Sequence, residues 1–305
     1  MKFRGSEQMN LTYLRSFYIT VKCNSISKAA KQLHLTQPGL SMQLQSLEND
    51  IGENLLNRSN KGVALTEEGK VVFEYAESML SLQDNLERNL KNLRNKKSKL
   101  FISSCKSIGE HILPCSIYTF KEIHFNIDIS MEIDNSSNVI KNLINHATNI
   151  AIIQDMDVPD NISTTPIMPD KLILVGGRNI TKSSISIEEL TKLPLVLREE
   201  GSGILALLEK ALQSKLISLD DLNILISLNS LESIKSSVAS GRGYSFLPES
   251  VVTHELRTGA LRQITIEGLE IPYNYYIAFR KNYNFTDHEE KFVQFLTSNK
   301  RCFCY

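Results

Sequence analysis

The sequence predicts an α+β multidomain chain: an N-terminal winged helix-turn-helix, one long linker helix, and a C-terminal two-lobed α/β domain. Three observations carry this. Apolar residues recur at helical spacing in three short segments before residue 52, and two strand-like runs around a turn come next. Residues 67–95 contain no proline and a single glycine, Gly69, and repeat apolar residues every three or four positions. From residue 99 strands and helices alternate, the pattern of α/β lobes. The chain's 305 residues exceed one core of ordinary size.

In chain order, Leu11, Leu14, Phe17 and Val21 place residues 10–22 on an amphipathic helix. Ser25 and Ser27 offer capping oxygens to a short helix over 28–33, where Ala29-Ala30 lets another helix approach closely. His34-Leu35 makes the turn. Thr36 caps a third helix with Gln37 and Pro38 in its first turn, where proline's missing N–H costs nothing. Leu40, Leu44 and Leu47 share one face, and Gln37, Ser41, Gln43, Gln45 and Ser46 line the rest. Two short helices joined by a tight turn, the second capped and rich in amides and hydroxyls, match a helix-turn-helix. Glutamine can bond adenine through two contacts, and serine can bond bases or phosphate. Spacing alone also allows a generic helical hairpin with a solvated polar face.

The next segment favours the nucleic-acid reading. Residues 55–59 and 62–66 are two short strand runs around Asn60-Lys61-Gly62, a wing on which Arg58 and Lys61 are natural phosphate contacts. Residues 1–99 hold 15 Lys+Arg against 10 Asp+Glu, a net +5, and the remainder nets −5. A basic head on an acidic body suits a polyanionic partner. The expected DNA-facing residues are Ser27, Thr36, Gln37, Pro38, Ser41, Met42, Gln45, Arg58 and Lys61.

Along the linker, Val72, Ala76, Met79, Gln83, Leu86, Leu90 and Leu93 alternate four- and three-residue steps, a heptad seam with one polar member. Glu67 and Glu68 suit the positive end of the helix dipole, and Lys96, Lys97 and Lys99 the negative end. One helix cannot bury such a seam alone. Packing on the chain's own body is one solution; pairing of two copies, with Gln83 fixing register, is the expected one. A two-fold protein reads a two-fold site, so the expected partner is double-stranded DNA carrying an interrupted palindrome.

In the body, strands at 100–102, 127–133 and 150–153 alternate with helices at 112–123 and 139–145. The alternation continues through 171–175, 187–190, 195–198, 204–215, 224–228, 231–240, 244–247 and 275–280 to a closing helix over 287–298. A mainly parallel sheet is expected, with ligands at the carboxyl ends of strands. Three loops fall there. Ser103-Ser104-Cys105-Lys106-Ser107-Ile108-Gly109 offers hydroxyls, a thiol and an ammonium to a small anion. Gly201-Ser202-Gly203 opens a helix with free N–H groups, and Asn229-Ser230 precedes another. Each alone is an ordinary chain-turning loop; three at equivalent strand ends point to one cleft. Its expected lining is Ser104, Cys105, Lys106, Ser107, Gln154, Gly201, Ser202, Gly203, Asn229 and Ser230. Arg198 adds positive charge, which Glu199 and Glu200 offset. Lys106 favours an anion, and Cys105 reads as a packing residue rather than a redox sensor.

Other classes fit poorly. There is no P-loop, G-x-S-x-G or HExxH motif and no zinc-spaced Cys/His set, so neither an enzyme nor a cofactor is expected. A solute-binding protein would lack the helix-turn-helix and carry an export signal, whereas Met1–Gln8 is short and polar. No run approaches the ~18 apolar residues of a membrane span, so a cytoplasmic protein with no membrane partner is expected. Five scattered cysteines argue against a disulfide framework, and Cys302 and Cys304 read as a frayed tail. A metal or redox role is the alternative for that pair.

Taken together, Met9-Asn10-Leu11, Ser27-Lys28-Ala29-Ala30-Lys31-Gln32-Leu33-His34-Leu35-Thr36-Gln37-Pro38-Gly39-Leu40-Ser41, Leu47-Glu48, Leu55-Leu56-Asn57-Arg58 and Leu65-Thr66-Glu67-Glu68-Gly69 closely resemble the LysR-type transcriptional regulators. Ser107-Ile108-Gly109-Glu110-His111, Arg198-Glu199-Glu200-Gly201-Ser202-Gly203, and Glu232-Ser233-Ile234-Lys235 with the later Gly241-Arg242-Gly243-Tyr244 are similar to stretches of that family's periplasmic-binding-protein-like effector domain. Met42 departs from the basic residue common in relatives, Leu56 from phenylalanine, and Cys105-Lys106 from Ser or Thr. Gly39 replaces alanine inside the reading helix, which weakens it by roughly 1 kcal/mol. The resemblance implies domains at 9–66 (DNA-binding), 67–97 (dimerisation helix) and 98–305 (effector-binding), the last with lobe I at 98–165 and 269–305 and lobe II at 166–268. It implies a homodimer or homotetramer, a small-molecule effector, and RNA polymerase as a further candidate partner. Met9 is the family's usual start.

Overall fold

Asn10 starts the first helix, α1 (Leu11–Cys23), by accepting the Thr12 N–H at 2.8 Å. Asn24 ends it at φ 47°, a left-handed conformation that asparagine tolerates better than most residues. Ser25 caps α2 (Ile26–Gln32), and Thr36 caps α3 (Gln37–Ile51) through the Gly39 N–H. β1 (Leu56–Ser59) and β2 (Gly62–Leu65) pair antiparallel as the wing. The computed structural model describes residues 9–59, 62–95 and 98–304. Met1–Gln8, Asn60, Lys61, Lys96 and Lys97 lie outside them. The chain divides into two compact units, one running to Leu90 and one holding most of residues 91–305.

The first unit closes on Leu14, Phe17, Ala29, Ala30, Leu40, Leu44, Leu47 and Leu55. Helix α4 (Glu67–Asn95) joins this core through Ala76 and Phe73. Phe73 stacks on Tyr18 with ring centroids 5.0 Å apart and meets Phe17 edge-on at 6.4 Å. This corrects the expected seam. Val72 and Ala76 turn toward their own unit's core, and the exposed apolar stripe is Val71, Tyr75, Met79, Leu82, Leu86 and Leu90. Met79, Leu86 and Leu90 keep their expected place, Gln83 bonds Glu87 at 3.1 Å, and the side chain of Leu93 is outside the described set. Along the first turns α4 thus has two apolar faces, one against α1 and one exposed.

The second unit opens with β3 (Ser98–Cys105), α5 (Lys106–His111), α6 (Leu113–Ile123), β4 (Ile127–Asp134), α7 (Ser136–Ile144) and β5 (Ile150–Gln154). These form lobe I. The long strand β6 (Ile162–Gly177) leads into lobe II: β7 (Ser184–Ile185), α8 (Ile187–Leu190), β8 (Leu195–Arg198), α9 (Gly203–Gln213), β9 (Ile224–Leu228), α10 (Leu231–Ala239), β10 (Ser245–Pro248), α11 (Glu249–Thr258) and β11 (Leu261–Ile266). β12 (Ile271–Arg280) returns, and α12 (Asp287–Thr297) closes lobe I.

β3 pairs parallel with β4 and β5, and β8 with β9, as expected of α/β lobes. The sheet is nevertheless mixed. β6 and β12 run antiparallel from Leu172 opposite Ile271 to Ile162 opposite Arg280, because one leaves lobe I and the other returns to it. β10 and β11 are also antiparallel to β6.

Two expectations are corrected here. The stretch 103–109 is not a loop: Ser103–Cys105 end β3 and Lys106 starts α5. The tail is not frayed either. Cys304 forms a disulfide with Cys115 of α6, its N–H donates to Ile112 O at 3.2 Å, and Ser116 Oγ donates to Cys302 O. The pairing spans 189 residues, which sequence spacing does not reveal.

Candidate functional site

Burial of Leu40, Leu44 and Leu47 fixes which side chains of α3 face outward: Gln37, Pro38, Met42, Gln45 and the cap Thr36. Met42 is 70% exposed. Ser41 is half-buried, and Ser27 is exposed on α2. Gln43 does not join them; it accepts the Ser16 hydroxyl at 2.5 Å. The outward face thus offers amides and one flexible apolar group, suited to base edges and thymine methyls.

The wing is tied to this face from two sides. Glu48 Oε1 accepts the N–H groups of Leu55 and Leu56 at 2.9 and 3.2 Å. Asn24 Oδ1 accepts the Val63 N–H at 3.0 Å, and a Cβ on Gly62 (φ 127°) would sit 2.7 Å from that oxygen. Arg58 stands opposite Val63 in the wing ladder, and Lys61 lies outside the described residues.

In the second unit three of the expected segments, around Lys106, Gly201–Gly203 and Asn229, lie within bonding distance across the lobes or of one another. β3, β5, β8 and β9 end at Cys105, Gln154, Arg198 and Leu228, and the residues just beyond meet across the two lobes. Lys106 Nζ of lobe I donates to Asn229 O of lobe II at 2.6 Å and lies 3.7 Å from Glu199 Oε1. Ser137 N–H donates to Gly201 O at 3.1 Å, and Gly203 N–H donates to Ser136 Oγ at 3.2 Å. Ser136 Oγ in turn donates to Gln154 Oε1 at 2.8 Å. The expected free N–H of Gly203 is therefore already paired, and Ser202 N–H is paired with Glu199 O at 3.2 Å. Ser230 caps α10 through the Ser233 N–H.

Ser104 near the end of β3 and Ser107 at the start of α5 are both buried. Burial pushes the Cys105 thiol up to about 11, against the opposing pull of Ser107 and Arg198. A thiol so raised is poor at forming the reactive thiolate. Arg198 holds Glu199 through Nε and Nη2 at 2.8 and 2.9 Å. Burial opposes ionisation of Glu199, but Arg198 and, more weakly, Lys106 hold its carboxyl below the usual range.

Sequence reasoning missed the lobe I side of this contact, Asn135-Ser136-Ser137, although its position just after β4 was the available signal. It also missed the polar groups on the crossing strands. Tyr275 is fully buried with its hydroxyl 2.9 Å from that of Tyr273. Tyr273 and Ser250 both donate to Asp170 Oδ2, at 3.0 and 2.5 Å. Burial raises the Asp170 carboxyl despite these donors. A second interlobe cluster sits beside the cleft: His111 Nε2 of α5 lies 3.8 Å from Glu110 and from Glu232 of α10, and Lys235 bonds Glu232 and Glu255 at 2.6 and 3.0 Å. Among the described residues no His, Cys, Asp and Glu cluster is placed to hold a metal, and no helix is long and apolar enough to cross a membrane.

Comparison with known proteins identifies the two domains. Residues 11–70 match the bacterial regulatory helix-turn-helix protein, lysR family, and residues 94–301 match the LysR substrate binding domain. A probable RuBisCO transcriptional regulator of Thalassiosira pseudonana is 30% identical over 271 residues, covering 86% of this chain and 88% of that one. Full-length CbnR complexed with its target DNA shares the fold at a TM-score of 0.67, with 19% identity, covering 94% of this chain and 99% of that one. The regulatory domain of Synechocystis CcmR, in complex with 2-PG, does so at 0.60 with 19% identity over 66% of this chain and 96% of that one. The chain belongs to the LysR family: it is a DNA-binding transcriptional regulator with a helix-turn-helix domain and a small-molecule effector domain.

Proposed function

We propose that this regulator reads an interrupted palindrome as a homodimer or homotetramer in the cytoplasm, and that its effector is a small anion held between lobes I and II. The observation that carries the effector reading is the meeting of Lys106, Arg198 and Asn229 at strand ends of the two lobes. Ser104, Cys105, Ser107, Gln154, Gly201, Ser202, Gly203 and Ser230 complete its lining. The reading face contributes Thr36, Gln37, Pro38, Ser41, Met42 and Gln45, with Ser27, Arg58 and Lys61 on the phosphates. In this reading residues 9–66 read DNA, 67–97 pair subunits and 98–305 sense the effector.

The stripe Val71, Tyr75, Met79, Leu82, Leu86 and Leu90 supports pairing of two copies through α4, since water-exposed apolar residues at this spacing need a partner. The CbnR complex with target DNA and the CcmR complex with 2-PG support the same roles here. We read no catalysis in the chain, and take RNA polymerase as its contact at promoters.

Selection of genomic fragments by the purified full-length protein, with sequencing of those retained, tests this. A shared two-fold motif beside one or a few operons is expected, and retained fragments without any common motif would refute the palindrome. Adding small carboxylates and phosphate esters to the selection should change the retained set or its footprint.

A further inference from the structure

The cleft holds more charge than it presents. Two cations enter it, Lys106 from lobe I and Arg198 from lobe II, and both meet Glu199. Arg198 is bound through two nitrogens at 2.8 and 2.9 Å, and its side chain is only 3% exposed. A guanidinium keeps its proton, and removing its carboxylate would leave a buried charge unpaired. Glu199 is therefore fixed in place when a ligand arrives. Lys106 is different. Its side chain is 18% exposed, its contact with Glu199 is long at 3.7 Å, and its short bond goes to the neutral carbonyl of Asn229. Two positive charges and one negative leave one cation to be matched. The neighbouring acid of lobe I, Asp134 at the end of β4, is committed to the Asn135 N–H at 2.7 Å and the Asn138 amide at 2.9 Å, and its charge too opposes a second anionic group.

We propose that Glu199 is the charge selector of the cleft: it limits the effector's recognition group to one negative charge and discriminates against dianions. This rests on the reading that an anion binds between the lobes. The group recognised is a singly charged oxyanion, a carboxylate, a sulfate monoester or a phosphate diester, seated on Lys106. A dianion in the same place sets its second charge against Glu199 in a partly dehydrated site where, among the described residues, Arg198 is already held by that carboxylate and Lys235 by Glu232 and Glu255. Like charges at such separations cost enough to weaken binding by about tenfold or more.

Protection of Lys106 from acetylation, read by mass spectrometry on the full-length protein, tests this without knowing the effector. The probes are methyl sulfate against sulfate, and small dicarboxylates from malonate to adipate against their monomethyl esters, at constant ionic strength. The singly charged member of each pair should protect Lys106 at a concentration at least about tenfold lower than its dianion. Glu199→Gln, which keeps an acceptor for Arg198, should narrow or reverse that ratio. Equal or better protection by dianions in the wild-type protein overturns the proposal, and this comparison stands even if the glutamine variant does not fold. A ratio unchanged in a folded E199Q assigns the selectivity to another group and overturns it as well. Failure of every probe, of either charge, to slow the reaction at Lys106 would refute anion binding in the cleft itself.

Discussion

Replacing Gly203 with alanine puts a methyl carbon 2.6 Å from Gln154 Oε1 and 2.7 Å from Ser136 Oγ. Both are buried polar side chains of lobe I, while Gly203 begins α9 in lobe II. Ser136 must then give up either the Gly203 N–H at 3.2 Å or its bond to Gln154 at 2.8 Å. A buried hydrogen bond contributes about 1 kcal/mol, and a buried donor left alone costs a further 1–3 kcal/mol, as an order of magnitude. Alanine returns up to about 1 kcal/mol as the better helix former. The balance is about 2 kcal/mol against the contact between lobes, or roughly thirty-fold in its equilibrium. Rotation of the lobes about β6 and β12 relieves the clash without unfolding either lobe. The denaturation midpoint of G203A should therefore stay near wild type. The Ser137 N–H, which reaches Gly201 O at 3.1 Å, should exchange with deuterium about thirty-fold faster. Wild-type protection at Ser137 in a folded G203A protein would show that these loops do not hold the cleft shut, and the reasoning would fail.

Three further outcomes are expected. Met42→Ala removes an apolar group that is 70% exposed on the reading face; selected sites should lose a thymine preference at about 1 kcal/mol per half-site, with stability unchanged, and an unaltered motif would exclude Met42 from base contact. Glu48→Ala unties the Leu55 and Leu56 N–H groups and should destabilise the DNA-binding domain by about 2 kcal/mol in urea titration, against no change if the wing holds itself. His111, faced by Glu110 on its own helix, by Glu232 and Lys235 on α10 and by Glu255 on α11, is held below the ordinary histidine range, by burial first and Lys235 second. Because the folded state resists this proton, stability is present above the unfolded value and is lost as pH falls through it toward the depressed native one. Thermal melts of H111Q should lose less stability than wild type between neutrality and mild acid, and parallel pH profiles would refute the assignment.

The head was legible in the sequence because each of its constraints is local. Thr36 caps three residues from Gly39, Leu40, Leu44 and Leu47 mark one helix face, and the two strand runs of the wing are short and adjacent in sequence. The linker was half legible. A seam counted on one helix cannot tell which apolar residues meet α1, and Val72 and Ala76 do. In the sensor the strand ends were found by alternation, but α11 and β11 were not, since Glu249–Thr258 carries few apolar residues and β11 alternates over only six residues. What local pattern could not supply were pairings made over long separations: Cys115 with Cys304, Tyr273 with Asp170, and Ser136 with Gly203.

Those long-range pairings also explain why the cleft looked like a free anion cradle in the sequence. The atoms that would receive a ligand already bond one another across the lobes: Lys106 with Asn229 O, Gly203 N–H with Ser136 Oγ, Gly201 O with Ser137 N–H. A ligand that reaches Lys106 exchanges one of these bonds for its own, so its binding energy differs between lobe angles that keep the bonds and angles that break them. That difference is the condition for a ligand to shift a conformational equilibrium at all. A cleft lined by unpaired groups would bind an anion equally well at many lobe angles and report nothing. On the proposed anion reading, the pairing across the lobes and the carboxylate of Glu199 between two cations would couple occupancy of the cleft to the lobe angle.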